Sequence, residues 1–180
     1  MKLHHALAAV TLGAALPTLT LAASPAAAAD AGPFWWASAN SGSTRSVIDV
    51  QGPTTAEYAK VHLWEFYGGN SQYWYLADGI PGASSNTRLL RNKYSGKCIG
   101  LQGTGTTNGT AVNQQTCEYG DTRQQWRQER RFEGNGNTYY RFVNVATGRC
   151  LDNATGSTAD GNKIQIWGCA GDNNYNQLWY

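Results

Sequence analysis

The chain has 180 residues, a length that favours one domain once an N-terminal leader is removed. Only 14% of residues are charged, the net charge is +2, and no basic stripe runs along the sequence, which argues against nucleic acid as a partner. Glycine, asparagine, threonine and tryptophan are abundant, which suits a turn-rich all-β protein better than a helical one.

Residues 1–29 read as a secretory signal peptide. Lys2 gives the positive start, Ala6 to Ala15 the apolar run, and Ala27-Ala28-Ala29 the small-residue cleavage site. The apolar part is too short and too rich in alanine for a membrane span, so export without membrane insertion is expected. Cleavage leaves Asp30 first, a net charge of +1 after loss of Lys2, and His62 as the one histidine, since His4 and His5 leave with the leader.

Phe34-Trp35-Trp36 reads as the first strand, one ring filling the core and another covering it; the competing reading is an exposed binding face. Val47 to Val50 and Val61 to Trp64 then alternate as half-buried strands do, with turn signals at Gly52-Pro53 and Gly68-Gly69-Asn70. Asp78 to Asn86 is a Gly/Pro/Ser connector. Leu89 to Cys98 and Tyr140 to Cys150 share a pattern, with Asn92 and Asn144 six residues before the cysteine and Gly96 and Gly148 two before it. Each reads as strand, turn, strand. Arg127, Arg130 and Arg131 sit among Glu129 and Glu133 and read as a solvated turn. Gly134-Asn135-Gly136 is a hairpin-turn signal.

These elements repeat. Cys98 to Cys117 and Cys150 to Cys169 each span 19 positions, and the same interval joins Val47 to Phe66. Two positions after each first member stand Asp49, Gly100 and Asp152. Each copy closes in Gln-x-Trp, at Gln72 to Trp74, Gln124 to Trp126 and Gln177 to Trp179. The period is 51 to 52 residues, and a fixed period of this size governs the whole fold. The expected domain is residues 30–180, with repeats at about 34–76, 77–126 and 127–180.

Four cysteines allow three pairings. The first copy lacks both cysteine positions together while the others keep both, which selects Cys98 with Cys117 and Cys150 with Cys169. Disulfides suit an exported protein. No two cysteines lie close in sequence and no histidine accompanies them, so neither a metal nor any other cofactor is expected.

Cys150-Leu151-Asp152, the segment Gln165-Ile166-Trp167-Gly168-Cys169 and the triplicated Gln-x-Trp resemble the ricin B-chain lectin family. They are also similar to carbohydrate-binding modules attached to bacterial xylanases. The resemblance covers about Phe34 to Tyr180. It implies an all-β β-trefoil, a six-stranded barrel capped by three hairpins, with Trp74, Trp126 and Trp179 in the core. It also implies a lectin for galactose-type or xylan-type glycans; with the leader the expectation is a secreted, non-catalytic protein, taken as a monomer.

A sugar site needs a carboxylate for hydroxyl protons, amides that both donate and accept, and a flat ring for the C–H face. The third copy carries all of these at the family's positions: Asp152, Gln165, Trp167, Asn176 and Gln177. Asp152 is expected to anchor hydroxyls, Trp167 to stack, Asn176 to bridge, and Gln165 and Gln177 to support from behind. The first copy keeps Asp49 and Trp64, has His62 for the glutamine, and has Ser71 for the asparagine, with Asn70 one residue earlier as the substitute. The second copy has Gly100, Asn113, Gln115 and Arg123 at these places and is not expected to bind sugar in this manner.

Two other functions compete with the lectin reading. A β-trefoil protein-interaction module, such as a protease inhibitor or toxin subunit, would need a long exposed contact loop, for which Asp78 to Asn86 is the candidate. An enzyme would need His62 in a Ser-His-Asp triad, or two carboxylates close together; Asp49 and Asp152 belong to different copies.

Overall fold

The computed structural model describes residues 30–180; the expected signal peptide lies outside the described residues. The strands in chain order are β1 (Ala31–Phe34), β2 (Ser46–Val50), β3 (Val61–Glu65), β4 (Trp74–Ala77), β5 (Thr87–Asn92) and β6 (Cys98–Leu101). They continue as β7 (Val112–Gln115), β8 (Gln125–Gly134), β9 (Asn137–Asn144), β10 (Cys150–Asn153) and β11 (Ile164–Trp167).

Backbone pairing makes a closed ring. β1 pairs with β4, β4 with β5, β5 with β8, and β8 with β9. Tyr140 on β9 exchanges hydrogen bonds with Trp179, and Ala37, just past β1, exchanges them with Tyr180. The last residues of the chain thus form the sixth stave and join β9 back to the start. Closure leaves the ring without a free sheet edge. Three hairpins, β2–β3, β6–β7 and β10–β11, stand off this ring, one per repeat. The chain is a β-trefoil, and each repeat is called a lobe below.

The hairpins meet at three equivalent contacts. Tyr58 N–H donates to Gln114 C=O (2.8 Å), Gly109 N–H to Ile166 C=O (2.9 Å) and Gly161 N–H to Leu63 C=O (2.9 Å). All three donors lie in the left-handed region, with φ of 62°, 87° and 81°. Glycine takes that conformation freely. A tyrosine there is strained by about 1 kcal/mol, because its Cβ crowds the following carbonyl.

The core is set by the repeat. Trp74, Trp126 and Trp179 are fully buried, and their indole N–H groups donate to the carbonyls of Ile48 (3.0 Å), Ile99 (3.1 Å) and Leu151 (3.2 Å). These acceptors are themselves one period apart, so one contact is made three times. The glutamine two residues before each indole also repeats its task. Gln72 Oε1 accepts from Tyr67 N–H and Gly68 N–H, Gln124 Oε1 from Glu118 N–H, and Gln177 Oε1 from Ala170 N–H. Each amide thereby folds the loop after its hairpin back onto the barrel.

The opening aromatic cluster does not lie wholly in the first strand as expected: β1 ends at Phe34, which is exposed, and the two tryptophans follow it, one inward and one covering. Trp36 is buried edge-on against Phe142, while Trp35 lies part-exposed against Phe66. Asn135-Gly136 forms a two-residue hairpin turn with both φ values positive (50° and 76°), the geometry this dipeptide favours. The arginine cluster differs from expectation. Arg127, Arg130 and Arg131 lie on strand β8, extended by that hairpin, and not in a turn. They pair with Glu129, Glu133 and Asp172.

Both disulfides form as predicted, Cys98–Cys117 and Cys150–Cys169, each tying the first strand of a hairpin to the loop beyond its second. Each closes a loop of about 20 residues, so each contributes about 3 kcal/mol on the chain-entropy model. Denaturant melts with and without a thiol reductant are expected to differ by several kcal/mol; coincident curves would refute this.

Candidate functional site

The third lobe gathers its predicted residues at one end of hairpin β10–β11. Asp152 and Gln165 face each other across the hairpin. Asp152 is buried, and both its oxygens are held: Gln165 Nε2 donates to Oδ1 (2.9 Å) and Gln177 Nε2 to Oδ2 (3.1 Å). Each amide has turned its N–H toward the acid, so the carboxylate is fixed in plane with lone pairs left for a further donor.

Above it opens a shallow pocket of about 230 Å³ lined by Asp152, Thr155, Gln165, Trp167, Asn174 and Asn176. The Trp167 side chain, at the end of β11, is 45% exposed. An indole held at a pocket rim and left bare is a surface for an apolar face. Gln177 is buried behind Asp152 and does not line the pocket; Gln165 both supports the acid and lines it.

Two lining residues were not singled out from sequence. Asn174 caps the short 3-10 turn Tyr175–Gln177, its Oδ1 accepting from Asn176 N–H (3.1 Å). Thr155 holds φ of 58°, an outlier for a β-branched residue. A mid-loop threonine in a Gly/Thr/Asn-rich stretch carries no sequence signal for either fact.

Asn176 is oriented from another lobe. Asn40 Nδ2 donates to Asn176 Oδ1 (2.9 Å), so Nδ2 of Asn176 is the group left to donate. Gly156 makes room for this contact: it has φ of 69°, and a Cβ there would lie 2.5 Å from Asn176 Oδ1 and 3.0 Å from Asn40 Nδ2. The loop carrying Asn174 and Asn176 is pinned by the Cys150–Cys169 bond, by Arg141 donating to Ala170 C=O (2.6 Å), and by Asn108 accepting from Gly168 N–H (2.8 Å).

Burial pushes the Asp152 carboxyl above the usual carboxylate range, while the bonds from Gln165 and Gln177 and the charge of Lys163 pull it partly back. The acid therefore takes up its proton at a higher pH than a free aspartate. Its stabilising effect is full below the unfolded-state pKa and is lost as pH rises through the higher folded value. Binding that uses the ionised acid runs the other way. Ligand affinity at this pocket is expected to fall on acidification, beginning above the usual carboxylate range while the fold persists. A binding titration between pH 7 and 4 beside thermal melts checks this; affinity flat across that range would refute it.

The first lobe builds a different pocket, of about 380 Å³, from Asp49, Gln51, Pro53, His62, Trp64 and Tyr67 among others. Asp49 and His62 are buried and lie 3.7 Å apart. Asp49 Oδ1 and both His62 ring nitrogens have no hydrogen-bond partner among the described residues. Trp64 stacks on the imidazole (centroids 5.1 Å apart) with its outer part exposed. Asn70 does not line this pocket. It opens its 3-10 turn where Tyr175 opens the third lobe's, and both are exposed. Ser71, the inward residue, bonds the Tyr67 hydroxyl (2.8 Å), and Tyr67 lines the pocket instead.

The second lobe has lost the acid. Gln115 folds over Gly100, where an added Cβ would sit 2.9 Å from its amide carbon, and Gln115 Nε2 donates to Leu101 C=O (2.9 Å) and Asn113 Oδ1 (2.7 Å). Among the described residues no three His, Cys, Asp or Glu side chains converge as a metal site would need.

A family model described as "Ricin-type beta-trefoil lectin domain-like" matches residues 29–115, 70–167 and 122–180. A designed 3-fold symmetric protein, ThreeFoil, is 28% identical with a TM-score of 0.67, over 81% of this chain and 94% of its own. An exo-β-1,3-galactanase from Clostridium thermocellum is 27% identical with a TM-score of 0.69, over 83% of this chain and 30% of its own. The Macrolepiota procera ricin B-like lectin, solved with lactose, is 21% identical with a TM-score of 0.60, over 83% of this chain and 94% of its own; at that identity it supports the fold alone. No curated protein matches the sequence.

Proposed function

The chain belongs to the ricin-type β-trefoil lectin-like family, and on that footing we propose that it is a secreted, monomeric carbohydrate-binding protein acting mainly through its third lobe. One observation carries the proposal: Asp152 is held ionisable and in plane by two amides beneath an exposed indole. A pyranose fits that arrangement. Adjacent hydroxyls donate to Asp152, Asn176 Nδ2 donates to a ring hydroxyl, and the C–H face lies on Trp167. The ligand is a galactose-type or xylan-type glycan.

The first lobe is the second site. Among the described residues its buried Asp49 Oδ1 and His62 ring nitrogens lack partners, and a buried polar atom without one costs about 1–3 kcal/mol. Hydroxyls of a bound sugar satisfy them, with Trp64 as the stacking face.

Each such site is weak. A sugar hydrogen bond replaces one to water and nets about 1 kcal/mol, or about 1.5 kcal/mol or more where the acceptor is ionised. The cost of immobilising the sugar offsets part of this, so a few bonds and one ring give an affinity of about 1 mM. Two sites on one molecule gain on a repeating target, which points to polysaccharide or a glycan-coated surface. The protein binds without turnover: Asp49 and Asp152 stand on different hairpins and do not form a pair across one bond.

A glycan array with galactose- and xylose-based oligosaccharides tests the proposal. Retention on either class is expected, together with no release from chromogenic glycosides. A blank array would refute it in favour of a protein-binding trefoil.

A further inference from the structure

We propose that the third-lobe site extends past Trp167 into a subsite for an anionic substituent of the glycan, a carboxylate or a sulfate, held by Arg149 and Lys163. The inference rests on the carbohydrate-binding reading above and names the class of glycan that the same site prefers.

Internal symmetry supplies the argument. At each joint between lobes, a side-chain oxygen of the turn accepts from a backbone N–H just past a neighbouring hairpin. Asp160 Oδ1 accepts from Glu65 N–H (2.7 Å), Glu57 Oε2 from Thr116 N–H (3.0 Å) and Asn108 Oδ1 from Gly168 N–H (2.8 Å). Each acceptor directly precedes the left-handed turn residue, Gly161, Tyr58 or Gly109. Two of the three are carboxylates. The one beside the third-lobe site is a neutral amide.

The cation across the joint repeats as well. Lys97 directly precedes Cys98, and Arg149 directly precedes Cys150. Lys97 Nζ donates to Glu57 Oε1, so a carboxylate meets its charge, and Glu57 is held below the usual carboxylate range, chiefly by that bond. Arg149 Nε donates instead to Asn108 Oδ1 (2.9 Å), which carries no charge. Its Nη2 has no acceptor among the described residues, and no carboxylate there lies within 4.0 Å of the guanidinium.

Lys163 stands on the same turn. Its Nζ donates to Gly109 C=O (3.1 Å) and likewise has no carboxylate within 4.0 Å among the described residues. An ideal Cβ on Gly109 would lie 3.9 Å from the six-membered ring of Trp167, so the turn that carries both cations abuts the stacking face. A freely solvated arginine is ordinary at a surface. Arg149 is half-buried and fixed through Nε, which leaves the rest of its fork to an outside acceptor.

The chemistry follows from the donors. A guanidinium fork matches two oxygens of one anionic group, and the ammonium adds a second charge. That anion is kept out of the pocket itself, where it would face Asp152 and be repelled. A neutral sugar therefore takes the floor above Asp152. The acidic group, on a neighbouring sugar or a branch, reaches across Asn108-Gly109.

Titration of the isotope-labelled protein, followed by NMR at the Trp167 indole and the Gly168 amide, tests this. The ligands are lactose, sialyllactose and sulfated lactose, and xylotriose with and without a glucuronic acid branch. At least one acidic sugar is expected to bind about threefold to tenfold more tightly than its neutral parent, the gain that one or two partly exposed ion pairs supply. High salt is expected to shrink the gain, since exposed charges are screened. Arg149→Gln is expected to erase most of the gain and to keep the affinity for the neutral parent. Asn108→Asp keeps an acceptor for Gly168 N–H and gives Arg149 the carboxylate that Glu57 gives Lys97; it is expected to erase the gain too. The sialyl and sulfated arms tell carboxylate from sulfate, and a gain with either supports the inference. Neutral sugars that bind with no gain for any acidic one overturn it and leave the main proposal standing; silence with every sugar overturns both. A gain that survives Arg149→Gln, or equal weakening of neutral and acidic sugars by that change, also overturns it, because Arg149 would then be idle or structural.

Discussion

Asp152→Ala is expected to abolish measurable glycan binding at the third lobe while leaving a folded protein. Hydrogen bonds to an ionised group are worth about 1.5–3 kcal/mol each, and a sugar with two hydroxyls on Asp152 loses both. That is a loss of about a hundredfold or more from a millimolar site, beyond detection by titration. The fold tolerates the change because Gln165 lines an open pocket and Gln177 keeps its bonds to Gly168 C=O and Ala170 N–H. Asp152→Asn is expected to fail as well, for a different reason. The two oxygens accept from two amide donors, and a carboxamide in either orientation turns its own N–H groups on one of them. An array comparing wild type with both variants, with circular dichroism to confirm folding, decides the matter. Unchanged third-lobe binding in either variant would remove Asp152 from the site.

Trp179→Ala is expected to destabilise the protein by about 3–5 kcal/mol, the usual range for deleting a buried tryptophan. For a domain of this size that lowers the melting temperature by about 10 °C or more. Trp179 is fully buried, its indole holds Leu151 C=O, and its backbone exchanges bonds with Tyr140 where the ring of strands closes. The same change at Trp167, whose side chain is 45% exposed, is expected to cost about 1 kcal/mol or less in stability and to remove the stacking face. Two tryptophans of one lobe thus separate folding from binding. Denaturant melts under non-reducing conditions check both, and comparable losses at the two positions would refute the division.

That Asp152 and Gln165 belong to one site was legible because both lie within one repeat; their register across β10–β11 is given by the structure. The same holds for the two disulfides and the three Gln-x-Trp tryptophans. Asn70 misled for a local reason: a one-residue shift in a tight turn exchanges the inward position for the outward one, and Ser71 took the inward place. Asn174 and Thr155 were missed because pocket-lining loop residues follow no period.

The sequence alone determined the threefold scaffold, its staples, its buried indoles and the acid, ring and amides of the third lobe, because each of these is set within a stretch of about 20 to 50 residues and written repeatedly. The tertiary structure decided what the lobes lend to one another. Asn40 reaches Asn176 across a separation of 136 residues, Asn108 ties down Gly168, and Tyr58 stands over a neighbour's pocket. Spacing along a chain cannot encode such contacts, since they arise only when the ring of strands closes and brings each lobe's turn against the next lobe's hairpin.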